Sequence, residues 1–464
     1  MTTSTSPSVR IAAIDILRGI AIFGMILSGQ IGWESGLPAW MFHAQLPPPD
    51  HIFRPDVPGI TWVDLVFPFF LFSMGAAFPF ALNKRIQSGQ PAYMTVLGLV
   101  KRWAILAAFS IVLGNSYTSG SSEAGRYAVY AFKVALWGAL FLSLTRFGFA
   151  KKRHSVIANI SGVVLIAALA VIQQEILGVP LSKDRSDIII MVLAYVALFG
   201  GLIWMLTRKS ILCRWLIFIA IGIIKGLTAY TPKIFSFMPD IAGIGWIFSW
   251  AFLQYLMIAV AGSIIGDMIL ARRNENTGST AGKADTWLAL LAISTVVFQL
   301  WGLFTRHVTA DFIVSAASAA LFIFLTYRKK ALWSDITAIG YLLLLAGIVF
   351  DPVDGGITKD HCNLSYLLTT SGMAAMTTGF LIHLEKRYGM KARLLSECGQ
   401  NPMIAYTVTN FITAPVLYAV GLLGLIDSLA YGSPFMGLVR GLLLTGIMMA
   451  LTVFFTRKKI FWRS

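Results

Sequence analysis

Residues 59–82 read GITWVDLVFPFFLFSMGAAFPFAL, a predominantly apolar run in which Asp64 is the only charged residue. A helix needs about 20 such residues to cross the hydrocarbon core of a bilayer, so this stretch predicts a transmembrane helix. The rest of the 464-residue chain has the same character, since 57% of its residues are hydrophobic and only 12% are charged. Soluble domains have about 45–50% apolar and about 25% charged residues. The chain is therefore predicted to be an all-α, polytopic integral membrane protein.

Positive charge is concentrated in the short segments between the apolar runs. The chain has 37 Lys and Arg against 21 Asp and Glu, a net charge of +16. Because cytoplasmic loops are enriched in Lys and Arg, clusters such as Lys84–Arg85, Lys151–Arg153, Arg328–Lys330 and Arg457–Lys459 predict cytoplasmic loops. Two spans between successive clusters give about fourteen transmembrane helices, within a range of about 12–14, with both termini cytoplasmic. The same distribution argues against a nucleic-acid partner, because it forms no basic face on a soluble module.

The whole chain, residues 1–464, is interpreted as one transmembrane domain. Its spans are predicted at Ile11–Ile31, Thr61–Asn83, Tyr93–Leu113, Tyr127–Phe147, Ser155–Ile172, Ser186–Leu206, Ile211–Leu227, Ile244–Leu270, Thr286–Thr305, Ala310–Tyr327, Trp333–Phe350, Tyr366–His383, Asn401–Leu422 and Phe435–Phe455. Only one predicted outside loop is long, and it is the first.

That loop, Gly32–Ile60, is rich in aromatic residues and prolines, which is not typical of a flexible tether. We expect it to fold over the helix ends. It contains His43 and His51 and leads directly to Asp64, in the first turn of the second span. Asp64 either caps that helix or orients one of the two histidines as a base. The sequence leaves both readings, and both histidines, open.

Charged residues inside predicted spans are costly and are therefore candidates for function. Asp15 and Arg18 are three residues apart and share a helix face. They form either an ion pair at the helix end or the floor of a cytoplasmic vestibule, where a guanidinium suits phosphate. Lys359 and Asn401, near the later spans, are candidate polar contacts, although a solvated lysine and a plain N-cap explain them equally well.

Metal and thiol chemistry are not indicated. The cysteines Cys213, Cys362 and Cys398 lie far apart and form no CxxC motif. Neither a zinc site nor a disulfide framework is predicted from such spacing.

Three segments resemble the transmembrane acyltransferase family of heparan-α-glucosaminide N-acetyltransferase and its bacterial relatives. Residues 10–27, RIAAIDILRGIAIFGMIL, resemble the opening helix of that family with its Asp-x-x-Arg-Gly motif. Residues 59–82 are similar to its second helix and are the most specific match. Residues 357–372, ITKDHCNLSYLLTTSG, and 399–406, GQNPMIAY, resemble its late helices. The middle of the chain, about residues 114–285, has no counterpart and suggests additional helices.

The resemblance implies acetyl transfer across a membrane. The co-substrate would be cytoplasmic acetyl-CoA, and the acceptor would be the amine of a glucosamine-type sugar or of a glycan that ends in glucosamine, on the extracytoplasmic side. The implied location is the bacterial inner membrane, among lipids, and the resemblance is compatible with a homodimer. The family's histidine lies in the loop before the second helix, so it falls on His43 or His51, beside Asp64. The insertion at residues 47–58 prevents a choice between them.

The other roles follow from where each residue lies. Arg18 with Asp15, together with Lys101 and Arg102, is placed at the cytoplasmic mouth for the nucleotide end of acetyl-CoA. Lys359 is a candidate oxyanion donor, whereas Asn401 enters from the cytoplasmic side and is expected to contact CoA.

Two other functions are compatible with the same charged residues and histidines in the sequence. A secondary transporter of an amino sugar would also need buried charges near the bilayer midplane. An acyltransferase acting on a glycan hydroxyl would share the machinery and change the acceptor. For the enzyme itself, a histidine could act as general base or could carry the acetyl group as an acyl-imidazole.

Overall fold

The computed structural model describes residues 12–116, 122–147, 152–182, 184–230, 249–272 and 282–462. In these residues nearly all regular structure is helical, which confirms the all-α class. The helices are α1 Ala12–Gln30, α2 Trp62–Gln87, α3 Ala92–Gly114, α4 Glu123–Leu144, α5 Lys152–Val171, α6 Ile188–Tyr195, α7 Gly201–Thr207, α8 Ile211–Tyr230, α9 Trp250–Leu253, α10 Leu256–Ala271, α11 Lys283–Thr305, α12 Val308–Thr326, α13 Leu332–Phe350, α14 Leu364–Tyr388, α15 Arg393–Gly399, α16 Pro402–Val408, α17 Ala414–Ala419, α18 Leu422–Ser428 and α19 Pro434–Arg457.

The number of spans agrees with the sequence. Thirteen helices in the described ranges are long and apolar enough to cross a membrane, and a bent pair, Pro402–Ala419 with Leu422–Tyr431, raises the total to as many as fourteen. This pair turns by 108° at its break, where Gly421 adopts a φ of 75°. The predicted starts of the first and eighth spans, Ile11 and Ile244, lie outside the described residues. Most of the other predicted ends fall within a few residues of the observed ones.

Two ends of the helix bundle can be distinguished. At the basic end, α1 begins, α2 finishes with Lys84 and Arg85, and the carboxylate of Glu385 accepts hydrogen bonds from the free backbone N–H groups of Ala12 and Ala13. At the loop end lie the loop of residues 31–61 and the turn of residues 351–363 between α13 and α14. A short antiparallel pair, β1 Thr145–Phe147 with β2 Ile460–Trp462, ties the C-terminal segment to the end of α4.

Helix α2 lies at the centre of the bundle and packs closely against α10. Gly262 and Gly266, spaced four apart on α10, contact the backbone carbonyls of Phe72 and Ala76, so that a Cβ at either glycine would overlap α2. Small residues at this spacing let membrane helices approach each other. Within α2, Pro68 cannot donate to the carbonyl of Asp64. The hydroxyl of Tyr366 on α14 donates to that carbonyl instead, at 2.8 Å.

This packing predicts that Gly262→Ala lowers the melting temperature of the purified protein by several degrees. The added methyl group overlaps the Phe72 carbonyl, and overpacking of this kind costs about 1–3 kcal/mol. The matched control is Gly446→Ala on α19, where a Cβ would meet nothing within 4 Å and alanine favours the helix. Equal melting of the two variants would contradict the close α2–α10 contact.

Candidate functional site

At the loop end, Asp64 is held in place by the start of α2. Thr61 is the N-cap residue, and its backbone N–H donates to Asp64 Oδ2 at 2.9 Å in a reciprocal capping box. The N–H of Ala44, in the loop, donates to the same oxygen at 3.3 Å. The side chain of Asp64 is completely buried. Capping thus occupies Oδ2 and leaves Oδ1 facing His43 in the loop.

Three residues lie around Asp64. Together with it they form what we term the His43 cluster: His43, Asp64, Lys359 and Asp360. His43 lies between two carboxylates, with Nδ1 2.7 Å from Asp64 Oδ1 and Nε2 3.2 Å from Asp360 Oδ2. Lys359 Nζ lies 3.6 Å from Asp64 Oδ1. These are ion-pair contacts rather than well-aligned hydrogen bonds. The cluster joins a histidine and a lysine to two carboxylates at the loop end of the bundle.

The protonation of His43 follows from these neighbours. Burial disfavours the imidazolium, but the carboxylates of Asp360 and Asp64 outweigh burial and the nearby Lys359, so the pKa of His43 is raised above its ordinary value of 6.5. His43 is therefore more readily protonated in the folded protein than in the unfolded chain.

A raised pKa makes the stability of the protein depend on pH. The contribution of the imidazolium is complete below the unfolded value of 6.5 and is lost as pH rises through the higher folded value. We expect the melting temperature of the wild type to fall, relative to that of His43→Gln, as pH rises above about 6.5. Melting curves over this range test the point, and parallel pH profiles for the two proteins would contradict it.

His51, the second candidate, does not reach Asp64. Its two ring nitrogens lie 3.2 Å from the carbonyl of Leu46 and 3.1 Å from that of Trp33. Its ring also packs against the rings of Trp33 and Phe42. His51 thus joins parts of the loop, which folds over the helix ends as expected.

The turn that carries Lys359 and Asp360 is fixed from α11. Arg306, at the end of α11, donates to both carboxylate oxygens of Asp351, at 2.9 and 2.7 Å. Asp351 Oδ1 also accepts from the backbone N–H of Ile357 at 2.7 Å. The carbonyl of Ile357 in turn accepts from Gly59, just before α2, at 2.7 Å. This chain of contacts sets the turn against the start of α2 and brings Asp360 to His43.

The His43 cluster borders a cavity of about 720 Å³, the loop-end cavity. Lys359 and Asp360 line it on one side, and Lys133 and Asp187 line it elsewhere. Asp360 also lines an adjoining cavity of about 570 Å³. Among the members of the cluster, Lys359 and Asp360 are thus the ones that a molecule in the loop-end cavity would meet.

A second cavity of about 460 Å³, the basic-end cavity, is lined by Arg18, Arg85 and Arg102. Arg18 lies 3.4 Å from Asp15 and donates to the carbonyls of Gly399 and Ser73. Arg85 lies over Gly98, one turn before Arg102 on α3. In the described part of the chain, neither Arg85 nor Arg102 pairs with a carboxylate, and the buried Nε of Arg102 has no acceptor. The basic-end cavity therefore carries an excess of positive charge that suits an anion.

The two cavities adjoin inside the bundle. Met25, Ile26, Ile189 and Tyr406 line both of them. The residues at the junction are mostly apolar, whereas the arginines and the His43 cluster lie toward opposite ends. Together the two cavities, separated by these shared residues, extend from a basic pocket near one end to the His43 cluster near the other.

Two of the sequence candidates lie apart from these cavities. Lys101 is exposed and does not line the basic-end cavity. The side chain of Asn401 donates to the carbonyl of Ile460 at 2.8 Å and accepts from the N–H of Trp462, so it binds the backbone of β2. The structure brings Arg18, with its partner Asp15, and Arg102 to the basic-end cavity, and His43, Asp64 and Lys359 to the loop end; only Arg18 and Arg102 of the first group line that cavity.

Asp360 and Arg85 were missed by sequence reasoning. Asp360 directly follows Lys359, yet only the fold shows that this turn meets the first loop. Arg85 was treated as one of many topology signals. Its place at the end of α2, across from Arg102 on α3, could have indicated a shared pocket.

The chain matches one protein-family model. The family model described as a domain of unknown function, DUF5009, matches residues 10–269. The matched segment contains His43, Asp64 and the three arginines of the basic-end cavity, whereas Lys359 and Asp360 lie outside it. No curated protein matches the chain.

Proposed function

The chain belongs to the DUF5009 family, and we propose that it is a membrane-embedded acetyltransferase that moves an acetyl group from cytoplasmic acetyl-CoA to the amine of a glucosamine-type sugar on the other side. The observation that carries this proposal is the pair of adjoining cavities. One end offers cations for a polyanion, and the other offers acid–base groups for an amine. The basic end is placed in the cytoplasm by the positive-inside rule.

The donor fits the basic-end cavity by charge and by shape. CoA carries several phosphate charges, and Arg85 and Arg102 have no carboxylate partner among the described residues. Its thin pantetheine arm can extend past Met25 and Ile26 toward the loop-end cavity. The thioester then lies near Lys359 and Asp360, while the nucleotide stays with the arginines.

The acceptor amine is bound and deprotonated at the loop end. The carboxylate of Asp360 faces the loop-end cavity and would bind the sugar ammonium and take one of its protons. His43, held between Asp360 and Asp64, shares this proton and positions Asp360. A carboxylate at this place favours an amine over a hydroxyl acceptor, because only the amine arrives as a cation.

The transfer itself is a direct substitution at the thioester. The nitrogen lone pair attacks the carbonyl carbon, and the C–N bond forms while the oxyanion develops near the ammonium of Lys359. The C–S bond then breaks, and the thiolate of CoA takes the proton held by Asp360 and His43. The second proton of the nitrogen leaves to water, which gives the N-acetyl sugar and free CoA.

The neighbours of His43 favour direct transfer over an acyl-imidazole. Both ring nitrogens lie against carboxylates. Held between Asp64 and Asp360, neither nitrogen is free to attack a thioester.

The proposal is tested by incubating the purified protein with acetyl-CoA labelled in the acetyl group and with glucosamine. We expect labelled N-acetylglucosamine to form, with stoichiometric release of CoA. The absence of product in this assay, with acetyl-CoA supplied in excess, would contradict the proposal.

A secondary transporter of an amino sugar would give a different result. Protein in liposomes that contain no acetyl donor would then take up labelled glucosamine. We expect no such uptake, and its appearance without product in the acetyl-transfer assay would favour the transporter.

A further inference from the structure

Asp311 is a buried carboxylate that the proposed reaction does not use. It lies in the first turn of α12 and is fully buried against α11. Its carboxylate rests on Gly302, where a Cβ would overlap it. Neither carboxylate oxygen has a hydrogen-bond partner among the described residues. A buried charge without a partner is costly inside a membrane, so this carboxyl group must be either protonated or paired with a counter-charge.

Two further buried oxygens on the same helix pair lack partners among the residues that the structure describes. Gln299 on α11 donates through Nε2 to the backbone carbonyl of Asp311 at 3.0 Å. This bond fixes the orientation of the amide, and Gln299 Oε1 is left buried without a donor. Ser315 lies one turn after Asp311 on the same face of α12, and its Oγ is also buried without a partner in the described part of the chain.

The side chains of Asp311, Gln299 and Ser315 have more hydrogen-bond acceptors than donors, which indicates what kind of group is missing between them. The two oxygens of an ionised Asp311 and Gln299 Oε1 only accept, and the hydroxyl of Ser315 supplies a single proton. Protonation of Asp311 would add one more donor and would still leave an acceptor unpaired. The guanidinium of Arg306, at the end of α11, already donates to both oxygens of Asp351.

A small hard cation would satisfy all of these oxygens together. Carboxylate, amide and hydroxyl oxygens are ligands of hard cations. Sites for divalent ions usually contain several carboxylates, whereas a single one balances a single positive charge. We propose that Asp311, Gln299 and Ser315 bind a sodium ion between α11 and α12.

Such an ion would stabilise the segment of the protein that holds the turn of the His43 cluster in place. Asp311 lies about one turn along the chain from Arg306, which holds Asp351 and, through it, the turn with Lys359 and Asp360. Sodium binding does not depend on the proposed acetyl transfer and can be measured without any substrate.

The test is thermal melting of the purified protein in NaCl and in choline chloride at equal ionic strength and pH. We expect a saturable rise of a few degrees with NaCl and none with choline chloride. Asp311→Asn should abolish the rise. The matched control is Asp335→Asn, which changes a first-turn aspartate of α13 that pairs with Arg272 and should leave the rise unchanged.

If Asp311→Asn does not fold, Ser315→Ala provides the test, because it removes one ligand and keeps the charge. We expect it to raise the half-saturating NaCl concentration about tenfold, which corresponds to about 1.4 kcal/mol. Equal melting in the two salts would overturn the proposal, as would a rise that persists in Asp311→Asn. A melting temperature that changes with pH but not with the sodium concentration would also overturn the proposal. It would show that the carboxyl group of Asp311 is protonated instead.

Discussion

His43→Gln is expected to lower kcat/KM for acetyl transfer to glucosamine by about 10³-fold, within the range typical of general acid–base groups. Glutamine can still donate a hydrogen bond to a carboxylate in the cluster, but it cannot take up a proton. If His43 served only in packing, His43→Gln would therefore keep part of the wild-type activity. Steady-state rates with labelled acetyl-CoA measure the loss.

The matched control for His43→Gln is His361→Gln. His361 is a loop-end histidine that also pairs with a carboxylate, that of Asp56, but its side chain is 55% exposed. We expect this variant to keep nearly full activity. Asp360→Asn should resemble His43→Gln, because it removes the carboxylate that faces the cavity. Wild-type activity in His43→Gln would exclude the His43 cluster as the acid–base centre.

Arg102→Gln is expected to weaken the binding of acetyl-CoA by about 10- to 100-fold. A hydrogen bond between charged groups contributes about 1.5–3 kcal/mol, and the guanidinium of Arg102 lines the basic-end cavity. Calorimetry or the concentration dependence of a thermal shift measures the change.

The control for Arg102→Gln is its neighbour in sequence, Lys101→Gln. Both variants remove one positive charge from α3, but Lys101 is exposed and does not line the cavity. We expect Lys101→Gln to bind acetyl-CoA nearly as well as the wild type. Equal losses in the two variants would indicate a general effect of charge rather than a phosphate site.

The spans could be predicted from the sequence because their signal is local. An apolar run such as residues 59–82 identifies a membrane helix without any knowledge of its neighbours. Helix α13, predicted at Trp333–Phe350, begins only one residue earlier, at Leu332. The bend at Gly421 was not predicted, since a single glycine near the end of an apolar run does not specify a positive φ.

The site was only partly predictable because its members are distant in sequence. Asp64 could be identified from the free-energy cost of a charge in an apolar span, and the histidines from their position in the first loop. The choice of His43 over His51, however, depends on how that loop folds. Asp360 reaches His43 only because Arg306 and Asp351 set the turn between α13 and α14. Such a contact between the two ends of the chain leaves no local pattern.

Transfer across the membrane is tested most directly in sealed inside-out vesicles that contain the protein. Labelled acetyl-CoA is added outside, on the cytoplasmic face, and glucosamine is trapped in the lumen. We predict that labelled N-acetylglucosamine accumulates in the lumen of wild-type vesicles and not in that of His43→Gln vesicles. The absence of labelled product from the lumen of intact wild-type vesicles, with both substrates in excess, would contradict the account.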